Sequence, residues 1–247
     1  MPRTESFTYA GATLIAEEHE GPASGERRPA FLLVHGIGMG RSVFGDLAEV
    51  LSDVAPVVAV DLPGYGEAPE PVRILTIQRT ADLLAAFVRA SSDSPVVVAG
   101  HSMGAQIAVE LAARHPGLVD RVVLLGPACD PAARTPLRQL WRLVRDIAVE
   151  SPKVIAVGAR EYVRAGPRLR MKFRAMLQHR PEDVFPAVAA PTLVIRGEHD
   201  VVAPRSWCEE VVRALPDGRL AEVEGHGHET MIRDAAPSAA LILGFVG

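Results

Sequence analysis

Gly100-His101-Ser102-Met103-Gly104 places one serine between two glycines, directly after the apolar run 96–99 and directly before a stretch with helical spacing. A serine on a sharp strand-to-helix turn presents its hydroxyl at the carboxyl edge of a sheet. The helix N-terminus behind it favours negative charge. That is the setting of a nucleophile, and a hydroxyl nucleophile needs a base to take its proton. Of the eight histidines, His35, His101 and His199 adjoin other motifs. His19, His115 and His179 fall on segments expected at the surface. That leaves His226 and His228 in Gly225-His226-Gly227-His228, after a last strand expected at 220–224. A carboxylate must orient the imidazole and stabilise its charged form. Asp200, at the end of Arg196-Gly197-Glu198-His199-Asp200, follows the run 192–195, where the carboxyl end of a strand would present it.

The elements that must position these residues are short. Runs at 31–34, 57–60, 96–99, 122–125 and 192–195 are apolar at successive positions, as expected of parallel strands covered on both faces. Helical spacing at 74–90 and 103–114 alternates with them, which predicts an α/β fold with a mostly parallel sheet and helices on both faces. Residues 6–20 read as an antiparallel hairpin turning near Ala10-Gly11, and 21–29 as a flexible polar loop. The alternation breaks once. More than 60 residues separate the strand ending near Leu125 from the one starting at Pro191. Within them 136–150 and 167–179 carry amphipathic helical stripes, including Trp141 in the first and Phe173 and Met176 in the second. A helical insertion at the ligand-binding edge of such a sheet predicts a lid, here 128–185, over a core of 1–127 and 186–247.

Composition bounds the partners. At 247 residues the chain suits one large α/β domain, and 23% charged residues with a net charge of −4 give no basic field for nucleic acid. Cys129 and Cys208 are too few for a disulfide scaffold, and no Cys/His grouping has zinc spacing. With no apolar run of membrane-spanning or leader length, the expectation is a cytoplasmic protein with a small-molecule substrate and no membrane partner. Only Lys153 and Lys172 are lysines among 26 basic residues.

Further segments carry a resemblance. His35-Gly36-Ile37-Gly38 resembles an HGxG oxyanion loop, and Asp61-Leu62-Pro63-Gly64-Tyr65-Gly66 a D-x-P-G-x-G segment. Residues 197–200 with Pro204, and Gly227-His228 with Pro237, resemble an acid turn and a histidine loop. Together with the serine elbow, and in this order, they resemble the α/β-hydrolase superfamily over nearly the whole chain. The resemblance implies Ser102 as nucleophile, His228 rather than His226 as base, and Asp200 rather than Asp130 as the acid. It also implies backbone N–H groups of Ile37 and Met103 as the oxyanion hole, with His35 and Asp61 bracing their loops and no metal or organic cofactor.

The activity this resemblance implies is hydrolysis of a small ester or related acyl substrate through an acyl-enzyme. Serine at 102 disfavours members with an aspartate nucleophile. Carbon–carbon bond hydrolases share the triad and are the alternative, although no Asn occupies 38–44 and no Trp follows His228. A perhydrolase, a lyase and a non-enzymatic ligand receptor on the same fold come behind. Finally, 128–185 holds twelve basic against six acidic residues within a chain of net −4. Solvated helix faces account for most of these. Arg164, Arg168 and Arg170, flanking Gly166-Pro167, are the candidates to face the cleft and attract a substrate carboxylate.

Overall fold

In the strand Val96–His101, alternate side chains enter opposite layers: Val96 and Val98 join one buried cluster, Val97 and Ala99 the other. The same double burial explains why these runs are apolar at every position. The computed structural model describes residues 2–23, 29–135, 156 and 168–247. The expected lid helix 136–150, with Trp141, lies outside the described residues, as do Arg164 and residues 24–28 of the polar loop.

Eight strands form one sheet: β1 (Arg3–Tyr9), β2 (Ala12–His19), β3 (Phe31–Val34), β4 (Val57–Asp61), β5 (Val96–His101), β6 (Val119–Leu125), β7 (Thr192–Gly197) and β8 (Gly218–Val223). Their order is β1-β2-β4-β3-β5-β6-β7-β8. β1 pairs with β2 and β2 with β4 antiparallel, and the other pairs are parallel. The leading hairpin turns at Ala10-Gly11, both with positive φ (49° and 78°), the signature of a tight two-residue turn.

On one face lie α2 (Ile77–Ser91), α3 (Met103–Arg114) and α5 (Arg205–Ala214), over a core that includes Leu84, Ile107 and Trp207. The other carries α1 (Gly45–Ser52) and α6 (Ala236–Val246), closed around Phe44, Leu47 and Ile242. Thr76 caps α2 by accepting from the Arg79 amide at 3.2 Å, so the helix begins three residues later than the periodicity suggests. The expected helix at 167–179 is α4 (Leu169–Gln178). Because β3 neighbours both β4 and β5, the chain reverses direction across the sheet there. The loops after β3 and β5 therefore meet at the carboxyl edge, where ligands of open α/β sheets bind.

Candidate active site

Ser102 stands at that edge with φ 53° and ψ −110°, a backbone conformation that non-glycine residues seldom adopt. Such a conformation costs on the order of 1–3 kcal/mol and persists only where surrounding structure imposes it. Here the Ser102 amide donates to Leu125 O of β6 at 2.9 Å and the Ala105 amide donates to Ser102 O at 3.1 Å. Side chains at Gly100 or Gly104 would collide with the backbone of Gly104 and Val34 respectively, so both glycines permit the tight strand–helix approach. The oxyanion-loop segment lies against the serine. A Cβ on Gly36 would come 3.1 Å from Ser102 Cβ. Met103 opens α3, so its N–H has no helical carbonyl four residues earlier to bond.

Across the edge, His228 Nδ1 donates to Asp200 Oδ2 at 2.9 Å, with both side chains buried. Asp200 Oδ1 accepts from the amides of Val202 and Ala203 at 2.8 and 2.7 Å. Burial raises the proton affinity of Asp200. The facing imidazole and these two amides outweigh it and hold the carboxyl below its ordinary range. Asp130 takes a different role: its Oδ1 accepts from Ala132 N at 2.8 Å and caps a short 3₁₀ turn. His226 also has another partner, its Nδ1 donating to Glu224 O at 2.8 Å. Of the two pairs of alternatives, Asp200 and His228 are the members brought together.

The bracing residues are equally well placed. His35 Nδ1 donates to Gly36 O at 2.8 Å while Nε2 accepts from Leu62 N at 3.1 Å, which fixes the neutral tautomer and engages both nitrogens. Burial pulls its proton affinity down. Asp61 accepts from the amides of Arg41 and Glu67 at 2.6 and 2.9 Å and pairs with the Arg41 guanidinium, so it organises its turn. His101 packs 4.7 Å from the His228 ring, and its Nε2 donates to His228 O at 3.3 Å. Burial and the neighbouring His228 hold His101 neutral, a fixed donor to the loop that carries His228. Donor atoms of His101, His228 and Glu229 lie within 4.8 Å of one another. His101 Nε2 and His228 Nδ1 are both hydrogen-bonded, and at this grouping the histidine loop packs on the elbow. Burial pushes the Cys129 thiol up to about 12, which leaves it unreactive at neutral pH.

The alpha/beta hydrolase family model matches residues 31–241. The chain belongs to the alpha/beta hydrolase family. It is 29% identical over 240 residues to a pimeloyl-[acyl-carrier protein] methyl ester esterase of Neisseria meningitidis serogroup A, covering 87% of this chain and 75% of that protein. It is 27% identical over 239 residues to a 2-(acetamidomethylene)succinate hydrolase of Mesorhizobium japonicum, covering 86% and 85%. The crystal structure of a bacterial membrane phospholipase A superposes with a TM-score of 0.83 at 26% identity, over 99% of this chain and 86% of that one. The protein is accordingly a hydrolase. Among its described residues no helix is long and apolar enough to cross a membrane.

Reaching Met103, the residue after the serine of this hydrolase, runs a cleft walled by Leu62, Tyr65, Ile74, Ile77, Met103 and Ile107, and roofed by Lys172 and Ala175 of α4. The two described arginines expected here lie elsewhere. Arg168 Nη1 donates to the carbonyls of Pro71 and Val72 at 3.0 Å each, and Arg170 is exposed. Helix α4 turns Lys172 inward instead. Sequence reasoning passed over Lys172 because a lysine on an amphipathic helix reads as its wet face. Met171 is exposed and Met176 is in the core, so neither walls the cleft. His179, expected at the surface, is buried, with Nε2 donating to Glu110 Oε1 of α3 at 2.8 Å.

Gly126 offers a test of the His–Asp geometry. It has φ 53°, and a Cβ there would lie 2.8 Å from His228 Nδ1 and 3.1 Å from Asp200 Oδ2. Gly126→Ala should displace the imidazole and lower kcat by about 100-fold, the usual consequence of a 1 Å misplacement. Steady-state kinetics on the folded variant would check it, and unchanged kcat would show that the pair does not need its present position.

Proposed function

We propose that this hydrolase cleaves esters, or closely related acyl compounds, through a serine acyl-enzyme. The observation that carries the reading is the buried Asp200–His228 hydrogen bond at the sheet edge where the strained Ser102 turn also lies. Ser102 Oγ attacks the acyl carbon while His228 Nε2 takes its proton, and Asp200 stabilises the resulting imidazolium. The carbonyl oxygen becomes an oxyanion that accepts from the N–H groups of Ile37 and Met103. Each such donor is typically worth about 2.7–4 kcal/mol in the transition state. His228 returns the proton to the leaving alcohol. It then activates a water, which releases the acid and restores Ser102. The residues require no metal or organic cofactor for these steps.

We assign 128–185 as a lid over the core of 1–127 and 186–247, since α4 supplies two side chains to the cleft roof. The apolar walls suit an acyl chain. The two named relatives, one an esterase of a pimeloyl-[acyl-carrier protein] methyl ester and one a hydrolase of a succinate derivative, support hydrolysis of an acyl substrate. A fluorophosphonate probe should label Ser102, as mass mapping of the adduct would show, and p-nitrophenyl esters of graded chain length should be turned over. Absence of the adduct in native protein would overturn the nucleophile assignment and favour a binding protein on this fold.

A further inference from the structure

Lys172 is the one charged side chain among the described residues lining the cleft. It is 5% exposed. Its ammonium donates to Gly64 O and to Glu70 Oε2 (3.0 Å for the latter), and lies 4.3 Å from the centre of the Tyr65 ring. The Tyr65 hydroxyl in turn lies 3.8 Å from Met103 Sδ, the side chain that comes directly after Ser102. One aromatic ring thus separates the ammonium from the residue beside the nucleophile. The surroundings are built around this charge. Gly64 has φ 80°, and a Cβ there would come 2.6 Å from Lys172 Nζ.

Placing an ammonium in an apolar wall carries a desolvation penalty unless anions and dipoles answer it. A contact that merely held α4 to the loop below could use an apolar pair. The chain is also strongly biased towards arginine, yet one of its two lysines stands here. A lysine presents a compact point charge that fits between a carbonyl, a carboxylate and a ring face, where a planar guanidinium would not. The resident carboxylate is incompletely satisfied. Glu70 Oε1 is buried and has no hydrogen-bond partner among the described residues, although the side chain as a whole is 25% exposed. A buried polar atom left in that condition is destabilising. Glu70 is therefore the weakly held partner of Lys172 and close enough to solvent to leave.

Resting on the ester-cleaving reading above, we propose that Lys172 is the specificity residue for an anionic acyl chain: the preferred substrates are monoesters of aliphatic dicarboxylic acids, whose free carboxylate replaces Glu70 on the Lys172 ammonium. One carboxylate exchanges for another, so the charge of the cleft is unchanged, and Glu70 regains water. The apolar walls hold the methylene chain between the two ends.

The experiment compares kcat/KM for monomethyl esters of linear dicarboxylic acids of about four to eight carbons with the matching esters whose free acid is a neutral primary amide. At low salt the acid should be preferred by about 10- to 100-fold at the best chain length, the worth of one charge-assisted hydrogen bond. Added salt should shrink that preference. Lys172→Met should bring the ratio to about 1. Glu70→Gln should move it the other way, raising kcat/KM for the acid, because the competing carboxylate is gone. If the contact only fastens the lid, both substitutions will depress acid and amide in parallel with the ratio unchanged, and the proposal falls. It falls equally if the wild-type enzyme uses the amide as well as the acid. Should either variant fail to fold, inhibition of wild-type p-nitrophenyl ester hydrolysis decides: the dicarboxylate must compete more strongly than its diamide, and equal inhibition refutes the assignment. Labelling of Ser102 with turnover of p-nitrophenyl esters, but no acid preference, would sink this proposal alone. Failure of both labelling and turnover would sink the ester-cleaving reading beneath it.

Discussion

Ser102→Ala is expected to lower kcat by about four to six orders of magnitude while leaving the fold intact. The covalent step disappears with the hydroxyl, and no neighbouring group can replace it: burial keeps the Cys129 thiol protonated. The fold should survive because the turn is imposed by the backbone, through the Ser102 amide on Leu125 O and the glycines at 100 and 104, rather than by the hydroxyl. Alanine tolerates φ 53° no better and no worse than serine, so the thermal midpoint should shift by only a few degrees. Residual turnover should match what oriented binding and the oxyanion donors provide without a nucleophile. Turnover of purified Ser102→Ala within tenfold of wild type would remove Ser102 from the mechanism.

The elbow, the acid turn and the histidine loop were legible in the sequence because each is local. Glycines, a chemically capable residue and an apolar strand lie within about ten positions of one another, and backbone sterics do the rest. The central strands were legible because burial on both faces removes polar residues from the run, as at 96–99. Where the run is interrupted, legibility falls: β6 begins at Val119, and Asp120 and Arg121 hid its first pairings. α6 was missed for the opposite reason, since its sequence from Ala236 to Val246 is apolar nearly all round and shows no stripe. Lys172 and His179 could not have been placed. Their partners, Gly64 and Glu110, stand 108 and 69 positions away, and no local pattern records a side chain that turns inward to meet a distant group.

Exchanging the two histidines of the loop provides the sharper test of the base. His228→Ala should be as damaging as Ser102→Ala, because nucleophile and base act as a unit and removing either costs about as much as removing both. His226→Ala should change kcat/KM by only a few-fold, since its Nδ1 serves Glu224 O while Asp200 pairs with His228. Asp200→Asn should cost about 10⁴-fold. The asparagine side chain can no longer provide the anion that selects the Nδ1–H tautomer and stabilises the imidazolium, and Nε2 then ceases to be a reliable acceptor. The pH dependence rests on the same assignment. His228 and two amides hold the Asp200 carboxyl below its ordinary range, so an ionisation seen near neutrality in kcat/KM should be that of the imidazole. Activity should then rise with pH through a single step, because only the neutral ring accepts the Ser102 proton. A wild-type profile flat between about pH 5 and 8 would argue against any histidine base. If instead His226→Ala proved the crippling substitution and His228→Ala the mild one, the base would pass to His226. The buried Asp200–His228 hydrogen bond would then be a device for holding the loop rather than for moving a proton.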